Sequence, residues 1–333
     1  MKKIAGITIL SLLLVFAFAT TSIAAEYTIT AGIGLNDESA QFASLEFFKE
    51  LVEERSDGRI EVELYHSSQL GDDREMMEAL QMGAQEMTCP STAPIAPFVN
   101  DFKVFDLPFL FPSNEAADYV LDGPIGQDLL DQLEDIGIKG LAYWENGFRH
   151  LTNSVRPVAE PEDFEGLRIR TMENPIHLAA FRELGANPTP MAFGELFSAM
   201  QQGVVDGQEN PWGTNYLQSF YEVNDYATDT GHVYSPFVLM IGLDYFESLP
   251  EDLQDIIQEA ANEAKEHNRE TNRAWNADYL EELKQVMEVT ILTDEQREAL
   301  QEAVMPVYDE FADEIGQDLI DDVMAEIEEF QNQ

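Results

Sequence analysis

Residues 28–64 read TITAGIGLNDESAQFASLEFFKELVEERSDGRIEVEL, and three elements follow from them. Thr28 to Gly34 reads as a strand. From Ala40 to Arg55 the apolar Phe42, Leu45, Phe48, Leu51 and Val52 recur at helical spacing. Asp57-Gly58 stops that helix, and Ile60, Val62 and Leu64 then alternate with Glu61 and Glu63 as a second strand. The chain thus opens on a βαβ unit.

Outward from this opening the alternation continues. Helices are predicted over Asp72–Gln81, Gly123–Ile136, Pro175–Leu184 and Gly194–Gln202, and strands over Ile138–Trp144, Leu167–Thr171 and Val204–Gln208. Val104 to Phe111 is an apolar stretch broken by Pro108 and Pro112. An α/β class with mainly parallel sheets is expected. From Leu253 the texture changes: Leu253, Ile256, Ile257, Ala260 and Ala264 continue through Trp275, Tyr279 and Leu283 on one stripe. One helix of that length exceeds the needs of a small domain and is expected to run along two domains and join them. Amphipathic helices are expected to fill the tail from Thr293 to Phe330.

At the N-terminus, Lys2 and Lys3 precede an apolar run from Ile4 to Ala19 and small residues up to Ala25. This is the pattern of a secretory signal peptide, with cleavage expected after Ala24 or Ala25 and a mature protein outside the cytoplasm. The run is shorter than the ~20 residues that a bilayer-spanning helix needs, which disfavours an uncleaved anchor.

The 333 residues carry 18 Lys and Arg against 64 Asp and Glu, a formal net charge of −46. Removing residues 1–25 takes away two lysines and no acid, so the mature charge is −48. A basic footprint for nucleic acid is missing, so none is expected as a partner. Hydrophobic residues make up 44% of the chain, enough for a folded core, so the acidity does not imply disorder. Acids spread through the whole chain suggest a salt-rich habitat, where counterions screen self-repulsion. Cys89 is the single cysteine, which excludes an internal disulfide and reads as a small buried filler.

Enzyme motifs fail. Gly32-Ile33-Gly34 would need glycine at 37 to form a dinucleotide loop, and Asp37 stands there; phosphate loop, HExxH and GxSxG are all missing. The five histidines, His66, His150, His177, His232 and His267, show no metal-ligand spacing, so no metal or cofactor is expected. Acid pairs such as Asp72-Asp73 are what 64 acids produce by composition.

Arginine is scarce, with eleven in the mature chain, and its placement stands out. In Leu167-Arg168-Ile169-Arg170, alternation puts both arginines on one strand face. Arg170 closes its strand, and Arg149 follows an Asn146-Gly147 turn after another. Ligand crevices of α/β sheets lie at such carboxyl ends, and a planar guanidinium matches a carboxylate bidentately. A salt bridge to one of the many acids is the alternative reading.

These segments resemble a known family, the solute-binding proteins of tripartite ATP-independent periplasmic (TRAP) transporters, of the dicarboxylate-binding DctP type. The resemblance rests on Gly58-Arg59-Ile60-Glu61-Val62 with Gln69-Leu70-Gly71, and on Asp106-Leu107-Pro108-Phe109-Leu110-Phe111. It continues through Gly166-Leu167-Arg168-Ile169-Arg170, the run from Gly185 to Phe193, and the run from Gln201 to Pro211. It implies a two-domain periplasmic binding protein fold, closing on a ligand with a long helix across both domains. The expected units are 26–146 with 236–275, and 147–235 with 276–333. It further implies that Arg170 anchors the ligand carboxylate, with Arg149 as a second arginine whose loss should cost less if it is the more solvated of the two. Phe193 would cover the apolar side of the ligand and Asn210 would donate and accept, while Trp212, Ser91 and Thr92 occupy positions that vary with ligand. Plain core packing for Phe193 and helix capping for Asn210 are the bland alternatives. Arg297, read on an exposed helix, is expected to be irrelevant to binding.

The function implied is capture of a small dicarboxylate or sugar acid by a monomer that delivers it to a membrane permease. A secreted α/β enzyme acting on an acidic metabolite and a ligand-presenting sensory module are the alternatives.

Overall fold

The computed structural model describes residues 25–332, so the signal-peptide reading over 1–24 lies outside the described residues. Among the described residues eleven strands build two sheets: β1 (Tyr27–Gly32), β2 (Ile60–Tyr65), β3 (Met87–Thr88), β4 (Ile138–Phe148), β5 (His150–Asn153), β6 (Arg168–Thr171), β7 (Asn187–Pro190), β8 (Gly207–Asn210), β9 (Tyr226–Thr228), β10 (Tyr234–Gly242) and β11 (Glu288–Thr290). One sheet has the order β2-β1-β3-β10-β4 and the other β11-β9-β5-β8-β6-β7.

The opening βαβ unit is present as read. β1 and β2 pair in parallel from Tyr27↔Ile60 to Gly32↔Tyr65, joined by a helix over Ala40–Arg55. Ser39 starts that helix by accepting the Phe42 N–H, and Phe42, Leu45, Phe48 and Val52 lie on its buried face. The expectation of mainly parallel sheets needs correcting, because each sheet is mixed. β10 is antiparallel to β3 and β4, and β5 is antiparallel to β8 and β9. The cause is the route of the chain: β4 leaves the first sheet and β10 re-enters it alongside, so these neighbours run in opposite directions.

The crossing is abrupt. Only Arg149 separates β4 from β5, and its N–H bonds to the carbonyl of Val233, just before β10 begins. The Asn146-Gly147 turn expected here is instead a bulge inside the continuous strand β4. Ser235 pairs with Gly147 and Pro236 with Glu145, which leaves Asn146 as the extra residue, and Gly147 takes a φ of 106°.

Several expected bounds shift. The strand read over Val204–Gln208 lies at β8, because Gly203 at φ 68° turns the chain and Val204 is exposed. A helix over Asn114–Asp122, begun by the Ser113 side chain, precedes one at Pro124–Gln132.

The long helix runs over 36 residues, Glu251–Val286. Its apolar stripe, Leu253, Ile257, Ala260 and Ala264, packs with Leu45, Phe48 and Leu239 in one core that also holds the fully buried Cys89. A polar stripe follows. Asn268 Oδ1 accepts the Glu145 N–H at 2.6 Å, and Arg273 pairs with Glu145 at 2.7 Å and Asp118 at 2.8 Å. Farther along, Asn276 Oδ1 accepts the Gly213 N–H at 2.7 Å and Tyr279 stacks on Tyr216 at 4.8 Å. The helix therefore engages both lobes. A second core runs continuously from Phe102, Phe105 and Val120 through Tyr234 to Leu151 and Phe181.

Candidate functional site

A cleft with about 640 Å³ of unfilled space, counting its open mouth, lies where the two sheets meet. That is within the size range of small-molecule sites. Arg170, Arg149, Asn210, Phe193 and Ser91 all line it, so five of the seven residues singled out in the sequence come together. Trp212 and Thr92 fall outside its lining. Trp212 instead stacks face to face on His150, ring centres 4.1 Å apart at 7°. Thr92 spends its backbone on a turn, donating to the carbonyl of Pro236 and accepting from Ile95.

Arg170 lies one residue before the end of strand β6, and Nε and Nη2 both donate to the carbonyl of Met191, at 2.9 and 2.6 Å. Parallel pairing of β6 with β7 brings the Pro190-Met191 segment alongside. The third nitrogen, Nη1, is buried and has no hydrogen-bond partner. Burial and then the nearby charge of Arg149 pull the Arg170 pKa down to about 10, so the group stays cationic at neutral pH. A buried, unpaired guanidinium edge is costly unless an anion meets it.

Arg149 is placed differently. Its Nε and Nη2 bond both carboxylate oxygens of Glu209 at 2.5 and 2.9 Å, and Nη2 also reaches the Glu209 carbonyl at 2.6 Å. Both side chains are buried, with 1% and 0% exposed, so Arg149 is not the solvated partner that a smaller effect would need. His232 Nε2 lies 3.3 Å from the same carboxylate. Burial pushes the Glu209 carboxyl up, but the Arg149 charge and the bonds from His232 and Arg149 outweigh it and hold it far below the usual carboxylate range. For this arginine the salt-bridge alternative describes what is seen, although it still borders the cleft.

The remaining lining is mixed. Phe193 is half-buried and meets Phe220 edge to face at 6.4 Å, so one side of the ring is packed and it still borders the cleft. Asn210 donates to Gln208 Oε1 at 2.5 Å and does not cap the following helix, whose N-cap is Pro211. Ser91 Oγ reaches the Met172 sulfur at 3.2 Å, a contact between the lobes. Asn146, the bulged residue, has a buried Oδ1 without a partner.

Three features at or behind the cleft were given no binding role in the sequence: Asn146, read only as part of a turn; Glu209, the partner of Arg149; and Asp73 with its neighbour Asp72, set aside as a product of composition. Asp73 is the first residue of the helix Asp73–Gln81, and its carboxylate lies near the Ser91 N–H. Burial and then the charge of Asp72 push its pKa up to about 7, with Arg170 and Ser91 acting the other way. Asp72 Oδ1 accepts the Gly194 N–H at 3.2 Å and so reaches the opposite lobe.

This two-lobed architecture is shared with known proteins. The family model of bacterial extracellular solute-binding protein, family 7 (DctP), matches residues 31–314. The chain belongs to this family. This solute-binding protein is 38% identical over 281 residues to the C4-dicarboxylate-binding periplasmic protein DctP of Rhodobacter capsulatus, covering 84% of each chain. It matches the sugar acid binding protein DctPAm of Advenella mimigardefordensis, solved in complex with galactonate. That match has a TM-score of 0.90 and 40% identity over 92% of this chain and 99% of the other. A TRAP periplasmic solute binding protein from Polaromonas, bound to D-erythronate, matches with a TM-score of 0.87 and 39% identity over 90% and 98% of the two chains. As a member of a solute-binding family it falls among proteins that bind rather than transform their solutes.

Proposed function

We propose that this protein captures a small organic acid in the cleft and delivers it to the membrane subunits of a TRAP transporter from the periplasmic side. The observation that carries the reading is Arg170: a buried guanidinium in the cleft with Nη1 free of any partner. A ligand carboxylate would complete it, held in the plane that the Met191 carbonyl sets by binding the other edge. Arg149 would contribute Nη1, the nitrogen that Glu209 leaves free, and Phe193, Asn210 and Ser91 the rest of the enclosure. Trp212 and Thr92, outside the lining, then act on the ligand only through the neighbours they support. The names of the relatives, which include galactonate, D-erythronate and C4-dicarboxylate binders, favour an organic acid over other solutes.

For the lobes we keep 26–146 with 236–275 and 147–235 with 276–333 as the proposed units, cut beside the bulge where the chain changes sheets. The acidic surface fits a salt-rich periplasm, and the protein acts as a monomer. A thermal-shift screen of organic acids at high salt tests the reading, with product analysis of the same mixtures. Stabilisation by an acid that is recovered unchanged is expected. Turnover of the acid would favour the enzyme alternative, and no response to any carboxylate would remove the proposal.

A further inference from the structure

The charges around the cleft do not balance evenly. Three arginines line it, but two are already matched: Arg149 by Glu209, and Arg74 by Glu78 at 3.1 Å. Of the three, Arg170 alone has no carboxylate partner, and its buried Nη1 bonds nothing. Against it stand three carboxylates, Asp72, Asp73 and Glu173, all lining the same space.

Asp73 is the one of these set into the wall. It is half-buried and faced by Gly34. A Cβ at Gly34 would stand 3.1 Å from Asp73 Oδ1, so the glycine leaves the carboxylate room beside the cleft. Asn146 adds a further acceptor there, since its buried Oδ1 has no donor.

One unpaired cation suits one ligand carboxylate. A second carboxylate on the ligand would lie among like charges in a partly desolvated space, where repulsion is poorly screened. Hydroxyl groups would do the opposite, because each can donate to Asp73 or to Asn146 Oδ1 and satisfy an acceptor that now lacks a donor. We propose that Asp73 is a specificity-determining residue that selects hydroxylated monocarboxylates, the sugar-acid class, over dicarboxylates. This rests on the reading of Arg170 as carboxylate anchor. It also narrows the choice between dicarboxylate and sugar acid that the sequence leaves open. Discrimination of this kind works by penalising the wrong ligand as much as by rewarding the right one.

Calorimetry on the full mature protein at pH 8 tests it, with D-erythronate, galactonate and succinate as probes. At least one of the two hydroxy acids is expected to bind about tenfold or more tighter than succinate. Asp73→Asn keeps the size and an acceptor for Ser91 but loses the charge, and is expected to tighten succinate about tenfold and narrow the ratio. A parent that prefers succinate, or an Asp73→Asn variant with the parent's ratio, would overturn the proposal. The parent ratio needs no variant and decides the matter even if the substitution impairs folding. Arg170→Ala separates the two levels of argument. If it abolishes binding of every probe while the ratio is wrong, only the Asp73 role fails; if it leaves binding intact, the anchor reading fails with it.

Discussion

Two arginines border the cleft within electrostatic reach of each other, and their surroundings differ in one decisive respect. At the crossing between sheets, Arg149 meets Glu209 through two nitrogens, and His232 closes the far side of the same carboxylate. On the β6 wall, Arg170 meets only a backbone carbonyl and keeps one buried nitrogen without a partner. The first arrangement is matched in charge without a ligand and the second is not. Burial alone does not mark a binding residue, since Arg149 and Arg170 are 1% and 2% exposed; an unmet hydrogen-bonding demand does.

The largest effect that would break this contrast concerns the complete pair. Arg149→Ala leaves Glu209 charged and buried without its partner, and breaking such a pair costs about 3–5 kcal/mol of stability. Denaturant titration of the apo protein is expected to show that loss, with partial recovery when Glu209→Gln is added. An Arg149→Ala midpoint equal to the parent's would mean that the pair is not structural and that the contrast is misdrawn.

Arg170 should respond in binding rather than in stability. Its truncation is expected to weaken affinity for the cognate acid by about 2–5 kcal/mol, or roughly 30-fold to several thousand-fold. Arg170→Lys retains charge but replaces a planar fork by a point donor, and should also bind poorly. Apo stability should hold or rise, because an uncompensated buried charge is removed. Calorimetry paired with apo melting checks both halves, and parent-like affinity in Arg170→Ala would reject the anchor.

The carboxylates near each arginine sharpen the comparison through pH. Glu209 has a folded-state pKa below its ordinary 4.5, so its contribution is present above that value and is lost as pH falls. Asp73 goes the other way. Its folded-state pKa of about 7 lies above the ordinary 3.8, so the folded state holds the extra proton and stability drains as pH rises between those values. The buried imidazoles of His150 and His232, which burial keeps neutral, add to the loss on the acid side. Absolute curves mix these groups, whereas differences between variants isolate them. Apo Asp73→Asn should therefore gain melting temperature over the parent as pH increases from 4 to 7, and the gain should level off beyond it. A constant offset across that range would show that Asp73 titrates normally.

The legible parts of this molecule are those whose burial follows a local period. Phe42, Leu45, Phe48 and Val52 mark the helix Ala40–Arg55 residue for residue, and the stripe from Leu253 to Leu283 lies inside Glu251–Val286. β10 was not legible, because all nine of its residues are buried and Pro236 sits within it, leaving no alternation to read. β3, β9 and β11 are two or three residues long and hold only by pairing. Asn146-Gly147 carries turn chemistry, yet a bulge uses the same residue types. In the site, Arg170 stood out because arginine is scarce, while Asp73 was hidden among 64 acids until the fold placed it beside the cleft. Arg297 keeps about a third of its side chain exposed, on a helix with Leu300 and Val304 as its buried residues. It bonds the carbonyl of Thr230 and lies 3.3 Å from the Asp229 carboxylate, so it braces the segment leading into β10.

Arg168 offers the smallest effect and the sharpest control. It stands two residues before Arg170 on the same strand and, by alternation, on the same face. Its side chain is nevertheless 48% exposed and paired with Asp206, and its Nη1 also bonds the Gly203 carbonyl at 2.7 Å. The strand end that faces the cleft therefore separates the two arginines more than their shared face joins them. An exposed pair of this kind is screened by water and salt, so Arg168→Ala should leave ligand affinity within about twofold of the parent and shift the melting point only slightly. Raising the salt should shrink even that shift. Should Arg168→Ala instead weaken binding as much as Arg170→Ala, the strand face rather than the unmet nitrogen would be the property that matters. The distinction drawn between paired and unpaired arginines would then fail at its simplest case.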